Sequence, residues 1–160
     1  MIAVLGQAQF DNLTEDARRS PRGRMHLNLH ASWGDPSQRF INAIEPYSYI
    51  RPHRHLCDPK SECLAVVRGR FAVLIFGDDG RIDQALTLCS AVKGAAIIQI
   101  EPQHWHTVVS LEPGGILFEV KAGPFEPSKA KEFAPWAPAE GDPSAATYLE
   151  ELRLHVARLM

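Results

Sequence analysis

The chain has 160 residues, 45% of them hydrophobic, and a formal net charge of −2. That size suits one domain with its own core, and the absence of any basic block or stripe excludes an ordinary nucleic-acid-binding surface. The apolar stretch IAVLG near the start is too short to span a membrane and is not the long apolar run of a leader, so the expectation is a soluble, cytoplasmic protein with no membrane partner.

In chain order, FDNLTEDARRSPR carries helix-start residues and ends at Ser20-Pro21, which predicts a short helix over 11–19. The period then changes from helical to alternating. In RMHLNLH, Arg24, His26, Asn28 and His30 share one strand face and Leu27 and Leu29 the other. RFINAIE continues as strand after the turn SWGDPSQ, and YSYIRPHRH places Tyr47, Tyr49, Arg51, His53 and His55 on one face. The β-branched run CLAVVRGRFAVLIFGDDGRI is broken by Gly69 and by the turn Gly77-Asp78-Asp79-Gly80. QALTLC, AAIIQIEP, HWHTVVSL and ILFEVKAG extend the series, with turns around Lys93-Gly94, Glu101-Pro102 and Pro113-Gly114-Gly115. Trp105 is expected in the core.

Many short strands at regular spacing predict an all-β sandwich or small barrel. One domain over 1–160 is expected: a barrel over about 22–123, a proline-rich wrapping tail over 124–142 and a helix over 143–159. In that helix Asp142 serves as N-cap, Pro143 as first residue and Leu149, Leu152, Val156 and Leu159 as the apolar face. His155 is assigned to its surface.

Chemistry concentrates in RPHRHLCDPKSECL, residues 51–64. Two histidines two apart on a strand leave the same face with Cα atoms about 6.6 Å apart, so His53 and His55 can converge on one ion. Glu62 is the natural carboxylate, either as a ligand or as a group that orients a histidine. The fourth candidate is His104 or His106, which share a face by parity. Cys57, Cys63 and Cys89 contain no CxxC, which argues against a disulfide framework, and they are read as small buried thiols in packing or loop roles. Asp58 is read as a turn residue before Pro59.

His53-x-His55, then Glu62, then six residues and Gly69, resembles the first motif of the cupin superfamily, with a longer gap of six residues before the glutamate. Gly94, Pro102 and His106 approximate the second motif, with Gln103 and His104 where a glycine usually follows the proline. The strings SPRGRMHLNLHAS, QRFINAI, SYIRPHRH and FEVKAGPFEP, from about Ser20 to Phe133, more narrowly resemble the WbuC family of cupin-fold metalloproteins. That resemblance implies a double-stranded β-helix, or jelly-roll barrel, with one divalent metal ion held by His53, His55, Glu62 and His106. It selects His106 over His104. It also implies an association with surface-polysaccharide genes and, by analogy, a homodimer.

Three imidazoles and a carboxylate suit Zn, Fe, Mn or Ni and leave positions open for chemistry. The face of Arg24, His26, Asn28 and His30 could hold a polar substrate at the barrel mouth. Tyr47, Tyr49 and Arg51 are expected as walls and an anion clamp. Glu119 and Lys121, on one strand face, are the candidates for proton transfer. The expected function is a metal-dependent enzyme, of the isomerase, epimerase or oxygenase kind, acting on a small polar molecule such as a sugar or nucleotide-sugar in surface-polysaccharide biosynthesis. The alternative is a non-catalytic module that binds a sugar or another small ligand.

Overall fold

The computed structural model describes residues 2–90 and 94–159. Lys93, the first residue of the expected Lys93-Gly94 turn, lies outside the described residues. In chain order the elements are α1 (Gln7–Arg19), β1 (Arg24–Asn28), β2 (Ser37–Ile44), β3 (His53–Arg54), β4 (Glu62–Arg68), β5 (Arg70–Phe76), β6 (Ile82–Cys89), β7 (Ile97–Ile100), β8 (Trp105–Ser110), β9 (Gly115–Ala122), β10 (Glu132–Phe133) and α2 (Ala145–Ala157).

The strands form two five-stranded antiparallel sheets, one in the order β1-β2-β9-β4-β7 and the other β10-β3-β8-β5-β6. Six of the eight neighbouring pairs are distant in sequence, which is the crossing pattern of a jelly roll. Between the sheets lie Ile44, Leu64, Ile100 and Leu117 from the first and Phe71, Val73, Leu88 and Val108 from the second. The outer face of the second sheet, with Ala72, Leu74, Phe76 and Val109, is covered by Leu149, Leu152 and Val156 of α2. The outer face of the first, with Ile41, Ala43 and Ile116, is covered by Leu13 and Ala17 of α1. Strand β5 is therefore buried on both faces, which explains why RFAVLIF is a continuous apolar run rather than an alternation.

Both helix starts differ from the sequence expectation. Helix α1 begins at Gln7 rather than 11, where the Gln9 side chain accepts from the Gly6 amide at 2.9 Å. Thr14, one of the helix-start residues of FDNLTEDARRSPR, lies inside the helix instead: it is buried, and its hydroxyl donates back to the Asp11 carbonyl at 2.9 Å. Helix α2 begins at Ala145, because Asp142 accepts from the backbone amide and the hydroxyl of Ser144 and so closes the preceding turn. Cys57 lies exposed in the turn after His55, and Cys63 is half-buried, so neither is the buried thiol that the sequence suggested.

Gly69 joins β4 to β5 with a φ of 84°, and a Cβ there would also press on the backbone of Gly115 at 3.2 Å. This tight reversal sends β4 and β5 into different sheets. It thereby sets Glu62, at the start of β4, across the barrel from the histidines of β3 and β8.

Candidate metal centre

His53 lies in β3 and pairs directly with His106 of β8. His55 follows β3, and Glu62 opens β4 on the opposite sheet. All four side chains are buried, and one potential ligand atom from each falls within 4.8 Å of the others. The ring centroids are 4.6 Å apart for His53–His106, 5.1 Å for His53–His55 and 5.4 Å for His55–His106.

Each imidazole is oriented the same way. His53 Nδ1 lies 2.9 Å from the Arg51 carbonyl, His55 Nδ1 2.6 Å from that of Ala130, and His106 Nδ1 2.9 Å from that of His104. A carbonyl oxygen only accepts, so each Nδ1 is the donor and each Nε2 carries a lone pair. Glu62 Oε1 stands 2.6 Å from His106 Nε2, and Oε2 stands 3.2 Å from His55 Nε2. His106 Nε2 is buried without a hydrogen-bond donor. Lone pairs that face a carboxylate in a buried pocket call for a cation between them, and backbone-tied imidazoles are how proteins orient metal-ligating histidines. The four residues therefore fit a divalent metal ion.

Burial pushes the His53 imidazole well below its ordinary range, aided by the charge of Lys131, which favours the neutral form that ligates. Burial opposes the charge on Glu62, but the Lys121 ammonium and His106 outweigh it and hold the carboxyl well below the usual carboxylate range. Lys121 lies opposite Glu62 in the β4–β9 pairing, 2.9 Å from Glu62 Oε2 and 3.2 Å from His55 Nε2. Burial works against its charge too, yet Glu62 and Glu119 raise its pKa, so it stays an ammonium. Glu119 lies 3.6 Å from Lys121 and accepts from the Asn42 amide at 2.9 Å.

Two adjoining cavities of about 340 and about 560 Å³ reach this group and share His26, Asn42, Glu119, Phe125 and Lys131. The smaller one opens on His55 and Lys121 and is walled by Asn28, His30, Gln38 and Phe40. The larger reaches His53, Glu62 and His106. The polar face read from RMHLNLH is thus brought to the cleft through His26, Asn28 and His30. Arg24 lines only the larger cavity, with its donors already engaged by Glu140, Ser48 and the Tyr49 carbonyl.

Tyr47, Tyr49 and Arg51 line neither cavity, which corrects the expected walls and clamp. Residues 46–47 form a turn and 48–52 carry no strand, so the parity that links them to His53 fails. Tyr47 is exposed and borders a separate groove with Pro113 and Arg153, Tyr49 is buried with its hydroxyl donating to the Pro138 carbonyl, and Arg51 donates to the Ala134 carbonyl and stacks on Phe133. Sequence reading missed Trp33, Phe125, Lys60 and Lys131, which line the smaller cavity. All four stand in loops without periodicity; only the FEVKAGPFEP string touches one of them.

A family model described as a domain of unknown function, DUF6016, matches residues 5–88. No curated protein matches the chain. Among solved structures, KdgF from Halomonas sp. is similar at 16% identity and a TM-score of 0.51, covering 68% of this chain and 84% of that one. Oxalate oxidase in complex with the substrate analogue glycolate is similar at 14% identity and a TM-score of 0.53, covering 86% and 74%. The capsular polysaccharide assembling protein CapF from Staphylococcus aureus is similar at 16% identity and a TM-score of 0.54, covering 71% of this chain and 32% of that one. At these identities the likeness establishes the fold, an all-β jelly roll of the cupin type with a helix at each end.

Proposed function

Since the chain belongs to the DUF6016 family and sets three histidines and a glutamate inside a cupin barrel, we propose that it is a metal-dependent enzyme acting on a small polar molecule. The observation that carries this reading is the common orientation of His53, His55 and His106, each tied through Nδ1 to a backbone carbonyl and turned toward the buried Glu62 carboxylate. A bound divalent ion, Zn, Fe, Mn or Ni, would supply Lewis acidity or activate water.

The chain's own residues do the rest. Lys121 holds a proton at Nζ beside Glu62 Oε2 and Glu119 Oε1, within reach of a ligand in the smaller cavity. Glu119, oriented by the Asn42 amide, is placed to accept or return that proton. His26, Asn28 and His30 offer hydrogen-bonding groups to a hydroxylated ligand.

A sugar or nucleotide-sugar of surface-polysaccharide synthesis is the proposed substrate, supported by the resemblance to the WbuC family and by the name of CapF. A cytoplasmic setting and a homodimer belong to the same reading; light scattering of the purified protein tests the second. The metal is tested by elemental analysis of protein purified without a metal-affinity step. One equivalent is expected in the wild type and none in the His53→Ala/His55→Ala variant. Metal retained by the variant sinks the assignment. Turnover of candidate sugars by the metal-loaded protein then separates an enzyme from a binding module.

A further inference from the structure

The carboxylates that line the smaller cavity each stand beside a cation. Asp58 is paired with Lys60 at 2.5 Å, Glu126 with Lys129 at 2.8 Å and Glu119 with Lys121 at 3.6 Å. At the metal group, Glu62 is also paired with Lys121, at 2.9 Å. Lys131 lines both cavities, yet among the described residues its ammonium makes no ion pair and no hydrogen bond.

Its place is fixed by its neighbours in sequence. The carbonyl of Ala130 accepts from His55 Nδ1, and Phe133, two residues on, pairs directly with His53. Lys131 therefore stands in the loop between these two tethers, exposed to solvent where it lines the cleft. The protein packed around the cleft lowers its pKa, Glu119 pulls it back up and Lys121 lowers it further. An ammonium without a counter-ion in a cleft attracts an anion, and a charge-assisted hydrogen bond to a carboxylate or phosphate is stronger than one to a neutral group. A divalent ion set against the single Glu62 carboxylate, with Lys131 beyond it, would leave the cleft positive.

We propose that Lys131 recognises a carboxylate or phosphate on a monosaccharide-sized ligand seated beside the His53–His55–Glu62–His106 group. This deepens the reading of the site as one for a small polar molecule, and rests on it. The smaller cavity, about 340 Å³, is at the lower end of the range of small-ligand sites, which suits a single sugar unit.

The test is calorimetric titration of wild type, Lys131→Met and Lys131→Arg with glucose, glucuronate and glucose 6-phosphate, alongside elemental analysis of each protein. A charge-assisted hydrogen bond predicts that wild type prefers at least one anionic sugar to glucose by roughly tenfold or more. Lys131→Met should lose that preference and Lys131→Arg keep most of it. The anion preferred distinguishes carboxylate from phosphate recognition. Equal affinities in wild type, binding of none of the three, or a preference that survives in Lys131→Met overturns the proposal. Metal content separates the two readings. Metal-free protein with a Lys131-dependent preference refutes the metal assignment and supports anion recognition; fully metallated protein without a preference does the reverse.

Discussion

At the scale of single residues, the site depends on which nitrogen of each imidazole is tied down. His104 and His106 show the difference most clearly, because parity places them on one strand face and only the fold separates them. His106 is buried with Nε2 turned toward Glu62, whereas His104 is exposed and contributes its backbone carbonyl to His106 Nδ1. His106→Ala should abolish stoichiometric metal, while His104→Ala, which keeps that carbonyl, should leave at least nine-tenths of it, roughly, since altered supporting partners rather than lost ligands set the usual smaller penalties. Equal metal loss in both variants would contradict the orientation described above.

His53 also sets a pH dependence. Its folded pKa is depressed by burial, so on acidification the unfolded chain takes up the proton first. The stability this residue contributes is then fully present above its ordinary value of 6.5 and is lost as pH falls from there through the depressed folded value. Metal-free protein should melt lower at about pH 5 than at about pH 7 for this reason, and His53→Gln should flatten the difference. A melting profile unchanged by that substitution counts against a neutral buried His53.

At the scale of elements, the cleft is assembled from short pieces held by specific tethers. Strand β10 has two residues, yet Glu132 grips Arg54 of β3 with both oxygens at 2.8 and 3.0 Å, and Arg54 in turn stacks over Trp105 at 4.2 Å. That clamp aligns the Ala130 carbonyl with His55 and sets Lys131 at the cleft. At the mouth, the Gln38 amide donates to the carbonyls of Ser32, Trp33 and Asp35, and the Phe125 amide donates to Trp33. Gly123 lets these two loops touch, because a Cβ there would collide with the Asp35 carbonyl. Gly123→Ala should therefore cost about 1–3 kcal/mol, as overpacking does. It should also shift the Trp33–Phe125 edge contact, now at 5.7 Å, measurable as a lower melting temperature and altered ring chemical shifts. An unperturbed melt and spectrum would show that the loops do not depend on this approach.

At the scale of the whole molecule, two sheets and two covering helices make four layers, and the site lies between the sheets beside the Leu64–Leu117 packing. Among the described residues no helix is long and apolar enough to cross a membrane. Helix α2 covers the back of the sheet that carries β3 and β8, so its packing supports the histidines indirectly. Leu152→Ala, at a site 4% exposed, should destabilise the fold by about 2–5 kcal/mol in denaturant titration while leaving metal stoichiometry intact under native conditions. A loss below half a kilocalorie, roughly, would mean that α2 does not seal this face.

The residues alone determined the strand content, the two terminal helices and the candidate ligands His53, His55 and Glu62, because strand alternation and HxH spacing are local and survive in a linear reading; parity left His104 and His106 open, and only the family resemblance favoured His106. Alternation likewise exposed His26, Asn28 and His30 as one face. It misplaced Tyr47, Tyr49 and Arg51, since Pro46 and Pro52 flank backbone that never enters a ladder. Which loops close on the cleft was decided only in three dimensions. Trp33, Phe125 and Lys131 have no period to read, and they reach the site through long-range pairs such as Phe133 with His53 and Phe125 with Trp33. A side chain in an irregular segment takes its direction from what its backbone hydrogen-bonds to, and that partner lies far away in the chain.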